Sequence, residues 1–160
     1  MVVTYSDLRS KTVLVTGGSR GIGAQTARAF AAQGARVCVV ARDRSALDTV
    51  VAQITSAGGF AIAAAADVTE AAALARVREQ VEAELGGVDV LAAFAGGQGA
   101  PVPTTELTEQ RWREVLDSEL TATFLTIQTF LPRMLERGTG TILTMSSSAG
   151  LLNWPCFTNS

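Results

Sequence analysis

The sequence predicts an open, doubly wound α/β fold in which a parallel sheet is covered by helices on both faces. Short apolar, β-branched runs alternate along the chain with segments of helical period. Runs that are apolar on both faces and separated by helices are typical of parallel strands buried on both sides. Because 160 residues is within the usual size of one domain, we predict a single domain over residues 1–160.

Five segments are predicted as strands on this basis. They are "TVLVTG", "RVCVVA", "FAIAAAAD", "VDVLAAFAG" and "TILTMS". Between the second and third strands, apolar residues repeat every three or four positions, which predicts a helix with Ser45 and Asp48 as a capping box and Gly58 as its stop. A similar repeat predicts a helix between the third and fourth strands; it consists of Leu74, Val77, Val81 and Leu85.

Composition excludes several classes of function. The net charge is −2 and the basic residues are scattered, so we expect neither nucleic acid nor a membrane surface as a partner. No apolar run approaches the about 20 residues of a bilayer span, and the N-terminus lacks the pattern of a signal peptide. We therefore expect a cytoplasmic protein in which Cys38 and Cys156 are reduced thiols.

Three absences narrow the chemistry further. The chain has no His, its only Tyr is Tyr5 and its only Lys is Lys11. A His-based triad, a zinc site built on imidazole and a Tyr/Lys pair in the second half of the chain are therefore excluded, and no metal site is predicted.

A glycine-rich segment, "TGGSRGIG", begins at Thr16, where the first strand ends and the first helix starts. Gly17, Gly21 and Gly23 have the spacing G-x-x-x-G-x-G, a longer version of the dinucleotide fingerprint. Such glycines let the backbone approach a pyrophosphate that lies at the helix N-terminus. The alternative is a simple glycine-rich turn, but the position between a strand and a helix favours nucleotide binding.

The end of the second strand, "VVARDR", bears on which nucleotide binds. An NAD site usually has an acid here, whereas Arg accommodates a 2′-phosphate. Ala41 occupies the expected position of the acid, Arg42 follows, and Arg20 of the glycine loop is expected to face the same region. Two guanidinium groups match a phosphate dianion, so NADP(H) is favoured. Asp43, one residue later, leaves NAD(H) open.

Two features beyond the second strand complete the candidate site. Asp67 ends the third strand, where it could accept from the adenine amino group or cap the next helix together with Thr69. The segment "GGQGAPVPTTE" at 96–106 is predicted as one long loop before a helix, and long loops in such folds often carry function.

The order and spacing of these motifs resemble the short-chain dehydrogenase/reductase family over essentially the whole chain. The matching elements are "TGGSRGIG", "DV" at 67–68, "VDVLAAFAGG" at 88–97, Trp112 and "GTILTMSSSAG" at 140–150. The resemblance implies a Rossmann-type sheet, an NAD(P)(H) cofactor, and hydride transfer with a small-molecule carbonyl or alcohol. The cofactor-binding residues it implies are Gly17, Ser19, Arg20, Gly21, Ile22, Gly23, Arg42, Asp67, Val68, Ala95 and Gly96.

The same resemblance implies a Ser that orients substrate, a Tyr that exchanges the proton, a Lys that supports the Tyr, and an Asn in a water relay. The Ser corresponds to Ser147, but Ser160 occupies the expected position of the Tyr and the chain has no residue for the Lys. A seryl hydroxyl is far less acidic than the phenol of Tyr and cannot simply replace it. The Asn position holds Glu119.

Helical geometry places Glu119 at the centre of one face of a long helix over about 109–137, a face formed by Trp112, Val115, Leu116, Thr123 and Ile127. We expect its carboxyl group to be partly buried or paired, either substituting for the relay or bonding a backbone group. A further departure is "AFAG", in which Ala93 and Phe94 replace polar side chains of the family.

Three interpretations of the whole chain remain open. It is the cofactor-binding N-terminal part of a longer oxidoreductase, a nucleotide-binding chain that has lost the reaction, or an α/β domain without a ligand. The further strands of the family would follow Ser160, so we expect an exposed edge at the fifth strand, leading to homo-oligomers or aggregation. The helix over 109–137 resembles the family's assembly surface, although Pro132 is expected to interrupt its last turn.

Overall fold

The computed structural model describes residues 4–97, 99 and 102–147 and contains one parallel sheet of five strands. The strands are β1 (Thr12–Thr16), β2 (Arg36–Ala41), β3 (Phe60–Ala65), β4 (Val90–Ala93) and β5 (Thr141–Thr144). Their order across the sheet is β3-β2-β1-β4-β5, and every neighbouring pair is parallel. The predicted Rossmann-type α/β fold and all five predicted strands are confirmed.

Five α-helices connect these strands in the described part of the chain. They are α1 (Gly21–Ala32), α2 (Arg44–Ser56), α3 (Ala71–Leu85), α4 (Glu109–Leu116) and α5 (Ala122–Arg137). A turn of π-helix over Asp117–Thr121 joins α4 to α5. The segment before α4, predicted as one long loop, includes a 3₁₀ turn at Thr104–Glu106.

The core lies on both faces of the sheet, as expected for a doubly wound fold. Alternate strand residues point to opposite sides, so that Val13 and Val15 pack with α1 and α2 while Leu14 packs with α3 and α5. All three of these side chains are fully buried. Packing on both faces fixes the sheet. The carboxyl ends of its strands, and the loops that follow them, therefore lie together at one end of the sheet.

Three local predictions about the helices were wrong. The capping box at Ser45 and Asp48 is not formed, because α2 begins two residues earlier and Asp43 is its N-cap, accepting from the Ala46 N–H at 3.0 Å. Pro132 does not interrupt α5, which continues to Arg137. A proline removes one backbone hydrogen bond, and the buried side chains of Phe130 and Met134 on either side of Pro132 hold the helix against the sheet.

The third correction concerns part of the face predicted around Glu119, whose other members are half-buried; these are Val115, Thr123 and Ile127. Trp112 and Leu116 are 48% and 37% exposed, respectively, whereas the buried positions of α5 are Ala122, Thr126, Phe130 and Met134. A π-turn inserts a residue into the helical repeat and rotates everything that follows it. The prediction assumed an uninterrupted period of 3.6 residues, which the chain does not keep.

Strand β5 forms one edge of the described sheet. Its outward-facing Leu143 and the following Met145 are both exposed. None of the helices within the described ranges combines the length and the apolar character needed to cross a bilayer.

Candidate cofactor site

The loop between β1 and α1 has a conformation that leaves no room for a Cβ atom at several of its glycines. Gly17 has φ +68°, and a Cβ atom there would lie 2.6 Å from the carbonyl oxygen of Phe94. A Cβ atom at Gly23 would overlap the carbonyl oxygen of Gly17. Gly21 also has a positive φ, +54°, but a Cβ atom added there would meet no other atom of the described residues within 4 Å, so its free side is open in that part of the chain. The loop is therefore packed tightly against its own backbone and the loop after β4 at Gly17 and Gly23, and it is open on the side of Gly21.

The N-terminus of α1 points out of this loop and is suited to an anion. Its N-cap residue, Arg20, makes no side-chain capping bond, and the first turn contains no acidic residue. Ile22 is 62% exposed beside these amides, and Ser19 is half-buried. Uncapped N–H groups at a helix N-terminus bind phosphate groups favourably. The residues present thus fit the pyrophosphate of a dinucleotide.

A cleft of about 400 Å³ lies at the carboxyl ends of β2 and β3. It is lined by Arg42, Ala65, Ala66, Asp67, Glu70, Ala72, Ala73 and Arg76. The Nη1 atom of Arg42 lies 4.0 Å from Oδ2 of Asp67, and the Arg42 side chain is 82% exposed. This is a loose surface pair that leaves most of the guanidinium group available to a ligand.

Asp67 is held in a tight turn with Thr69. Its Oδ1 atom accepts hydrogen bonds from the Thr69 N–H at 3.0 Å and from the Thr69 hydroxyl at 2.7 Å. These two bonds, followed by the weaker influence of Arg42, lower the pKa of the Asp67 carboxyl group. The turn precedes α3, whose N-cap is Glu70, so the suggestion that Asp67 caps this helix was wrong. Val68 is buried beneath the turn.

The arginines around this cleft differ from the predicted arrangement. Arg20 is not among the residues that line it, whereas Arg76 on α3 is. Arg76 was not predicted from the sequence, because a single Arg on a helix has no local pattern that distinguishes it from a solvated one. Asp43, the residue that left NAD(H) open, uses its carboxylate to cap α2.

A second cleft, of about 340 Å³, lies at the carboxyl ends of β4 and β5. It is lined by Ile22, Ala93, Phe94, Ala95, Gly96, Gly97, Glu119, Thr123 and Met145. The half-buried Glu119 accepts a hydrogen bond from the Gly97 N–H through its Oε1 atom. Two roles were considered for this carboxylate, substitution for the water relay and bonding to a backbone group, and the second is observed. Ala95 and Gly96 border the same cleft.

Thr16 supports this loop from below and was not singled out as a site residue. Its buried Oγ1 atom accepts from the Phe94 and Ala95 N–H groups, both at 3.0 Å. The available signal was a Thr at the last position of a strand whose three central residues are apolar. The backbone after β4 is thus fixed by Thr16 on one side and by Glu119 on the other.

The residues expected to act on a substrate are only partly brought together. Ser147 follows β5 and is exposed, and Met145 rather than Ser147 lines the second cleft. Ser160 lies outside the described residues. Tyr5 and Lys11 precede β1, at the opposite edge of the sheet from the glycine loop, where Lys11 pairs with Asp89 at 4.0 Å. Within the described ranges, no cluster of three or more potential metal ligands is present.

Comparison with known proteins agrees with this geometry. The sequence model of the family described as short chain dehydrogenase matches residues 11–159. The chain belongs to the short-chain dehydrogenase family. It is 39% identical to a short chain dehydrogenase of Pseudocercospora fijiensis, covering 92% of this chain and 48% of the relative. It is 38% identical to a D-threitol dehydrogenase of Mycolicibacterium smegmatis, covering 89% and 54%.

Solved structures of the short-chain dehydrogenase family share the fold. A short-chain type dehydrogenase/reductase from Mycobacterium marinum superposes with a TM-score of 0.90 at 33% identity, covering 96% of this chain and 62% of that one. A 3-ketoacyl-ACP reductase from Sinorhizobium meliloti gives a TM-score of 0.83 at 35% identity, covering 87% and 55%. The chain therefore spans about half the length of the curated relatives it matches. The family generally binds NAD(P).

Proposed function

We propose that this chain is the cofactor-binding part of an NADP(H)-dependent oxidoreductase that interconverts a carbonyl compound and an alcohol. The observation that carries the choice of cofactor is the contrast between Arg42 and Asp43 after β2. Arg42 presents a largely exposed guanidinium group to the first cleft, whereas the carboxylate of Asp43 is engaged by the Ala46 N–H. A guanidinium group attracts a 2′-phosphate, whereas one of the two Asp43 carboxylate oxygens already accepts from the backbone of α2.

The residues that would hold the cofactor follow the order of the strands. Asp67 and Val68 lie at the adenine end, the glycine loop with Ser19, Arg20 and Ile22 receives the pyrophosphate, and Ala95 and Gly96 border the nicotinamide end. When bound, the cofactor supplies or accepts the hydride. Ser147 is proposed to orient the substrate oxygen by hydrogen bonding.

NAD(H) is the alternative cofactor, and Asp67 is the residue that would favour it. Asp67 lines the first cleft, and among the described residues its Oδ2 atom has only the loose pair with Arg42. A carboxylate in this position repels a 2′-phosphate and accepts from a hydroxyl group. Arg76, which lines the same cleft, adds a second positive charge and supports NADP(H).

A second function, binding of the nucleotide without turnover, is favoured by the position of Tyr5 and Lys11 at the opposite edge of the sheet. Alkoxide formation during hydride transfer requires a proton donor of suitable pKa within hydrogen-bond reach. Ser147 is a poor donor of this kind. We therefore propose that residues 1–160 alone bind NADP(H) without reducing a carbonyl, and that turnover requires a segment with Tyr and Lys.

The substrate is proposed only as a class. One relative is named for D-threitol and a structural neighbour for a 3-ketoacyl group on its carrier protein. Their common element is a secondary alcohol or the corresponding ketone. Self-association is proposed through the exposed apolar side chains of the α4–α5 region, which include Leu116, Leu120 and Phe124.

The direct test is a binding titration of the purified chain with NADPH and NADH, followed by an assay of ketone reduction. Tighter binding of NADPH with no reduction above background is the expected result. Tighter binding of NADH would contradict the cofactor assignment. Steady-state reduction that is lost in Ser147→Ala would contradict the proposed need for a further segment.

A further inference from the structure

Glu119 is the one charged side chain among the described residues that line the second cleft. The other lining side chains are apolar or, in Thr123, neutral and polar. No basic group lies within 4.0 Å of the Glu119 carboxylate in the part of the chain that the structure describes. The negative charge is therefore not neutralised by an ion pair there.

This carboxylate is fixed at the wall of the cleft. Its Oε1 atom accepts from the Gly97 N–H, and its Oε2 atom lies so close to Gly96 that a Cβ atom there would be 2.6 Å away. Glu119 lies in the π-turn between α4 and α5, and its half-buried side chain reaches the loop after β4. A charge held against the backbone cannot move into solvent without breaking this hydrogen bond.

The strand order determines which end of a dinucleotide meets this charge. The first cleft follows β2 and β3, the glycine loop follows the central β1, and the second cleft follows β4 and β5. A dinucleotide bound across this edge places its two halves on either side of the pyrophosphate. With the adenine half over β2 and β3, the nicotinamide half lies over the second cleft.

We infer that Glu119 is a specificity-determining residue that makes the site prefer the oxidised cofactor over the reduced one. This inference rests on the proposed function. The oxidised nicotinamide ring carries a positive charge and the reduced ring carries none, whereas the rest of the cofactor is identical in the two forms. A fixed carboxylate beside the ring attracts only the oxidised form, in a cleft where water screens the charge incompletely.

The test compares the dissociation constants of NADP⁺ and NADPH for the wild-type chain and for Glu119→Gln. The Gln side chain keeps an acceptor oxygen for the Gly97 N–H and removes the charge. We expect Glu119→Gln to weaken NADP⁺ on the order of tenfold while leaving NADPH nearly unchanged. Glu109→Gln is the matched control, because it removes the same charge from an exposed pair with Arg113 outside both clefts, and it should not alter the ratio.

The outcomes of this comparison distinguish a failure of the inference about Glu119 from a failure of the proposed function. Equal weakening of both forms, or an unchanged ratio, would show that Glu119 only anchors the loop and would overturn this inference alone. Binding of neither form to the wild-type chain would overturn the proposed function as well. If thermal unfolding shows that Glu119→Gln is not folded, Glu119→Asn is the second variant, because it removes the same charge with a shorter side chain. Its ratio of NADP⁺ to NADPH dissociation constants is expected to shift in the same direction.

Discussion

Arg42 and Asp67 face each other at the carboxyl ends of β2 and β3, with the Arg42 Nη1 atom 4.0 Å from the Asp67 Oδ2 atom. The two residues follow different strands, and the parallel pairing of β2 with β3 brings them together. The other carboxylate oxygen of Asp67 is occupied by Thr69. The cleft thus presents a largely exposed guanidinium group beside a carboxylate of fixed orientation, and the proposed choice between NADP(H) and NAD(H) depends on which of the two meets the ribose.

Thr69→Val is expected to raise the pKa of the Asp67 carboxyl group towards its ordinary value of 3.8, because the hydroxyl donor is lost while the Thr69 N–H bond remains. A lowered pKa in the folded state stabilises the protein above the unfolded value, and this contribution is lost as the pH falls through the folded value. The wild-type chain should therefore lose more stability than the variant below pH 3.8. A carboxyl-carbon NMR titration measures the pKa directly.

The control for this change is Thr49→Val, in which the lost hydroxyl bonds a backbone carbonyl, that of Ser45, rather than a carboxylate. It should leave the titration of Asp67 unaltered. An Asp67 pKa that is the same in Thr69→Val and in the wild-type chain would contradict the role given to the Thr69 hydroxyl.

Gly21→Ala and Gly58→Ala form a matched pair of substitutions. Both glycines have positive φ values, +54° and +83°, and in both cases no atom of the described ranges lies within 4 Å of an added Cβ atom. Each variant should lose about 1 kcal/mol of unfolding free energy through backbone strain. Only the methyl group at Gly21 projects above the glycine loop, so only Gly21→Ala should weaken NADPH binding. Equal affinity of the two variants for NADPH would place the pyrophosphate elsewhere.

Thr126→Val is expected to increase the free energy of unfolding by about 1 kcal/mol. The Thr126 side chain is fully buried, and its Oγ1 atom has no hydrogen-bond partner among the residues that the structure describes. Replacing an unsatisfied hydroxyl with a methyl group of similar shape removes a desolvation penalty. Chemical denaturation measures the change. Thr129→Val is the comparison, because its hydroxyl donates to the Leu125 carbonyl at 2.8 Å, and it should not be stabilising.

Cys38 is expected to make the fold sensitive to alkaline pH. Burial, with a smaller contribution from Glu84, raises the pKa of its thiol from 9.0 to about 12. Above pH 9.0 the thiol ionises in the unfolded chain while it stays protonated in the folded one, so the folded state loses stability as the pH rises towards about 12. The stability advantage of the wild-type chain over Cys38→Ala should therefore shrink over this range. An advantage that stays constant would contradict the effect of burial.

The strands and the glycine loop could be predicted because their signals are local. Buried parallel strands are continuous apolar runs, and the loop requires glycine at Gly17 and Gly23 for reasons that the backbone alone determines. Arg42 and Asp67 could be placed at one edge because parallel strands align their carboxyl ends. The family resemblance, which the comparisons confirm, added Ser147 and Glu119 as candidates.

What the sequence could not supply depends on tertiary structure. The π-turn at 117–121 has no recognisable pattern, so the face around Trp112 was predicted in the wrong register. The contribution of Arg76 to the first cleft depends on how α3 packs, and the bonds from Thr16 to the loop after β4 join residues far apart in the chain. Choosing Asp43 over Ser45 as the N-cap required the backbone conformation at the end of β2.

The most direct test of the NADP(H) assignment is the affinity of Arg42→Ala for NADPH and NADH, measured by titration calorimetry beside the wild-type chain. Loss of a charge-assisted contact with the 2′-phosphate should weaken NADPH by roughly 1.5–3 kcal/mol and leave NADH nearly unchanged. Arg44→Ala is the control, because Arg44 is engaged with Asp48 at 2.8 Å and its loss should affect neither cofactor. Equal losses of NADPH and NADH affinity in Arg42→Ala would contradict the assignment.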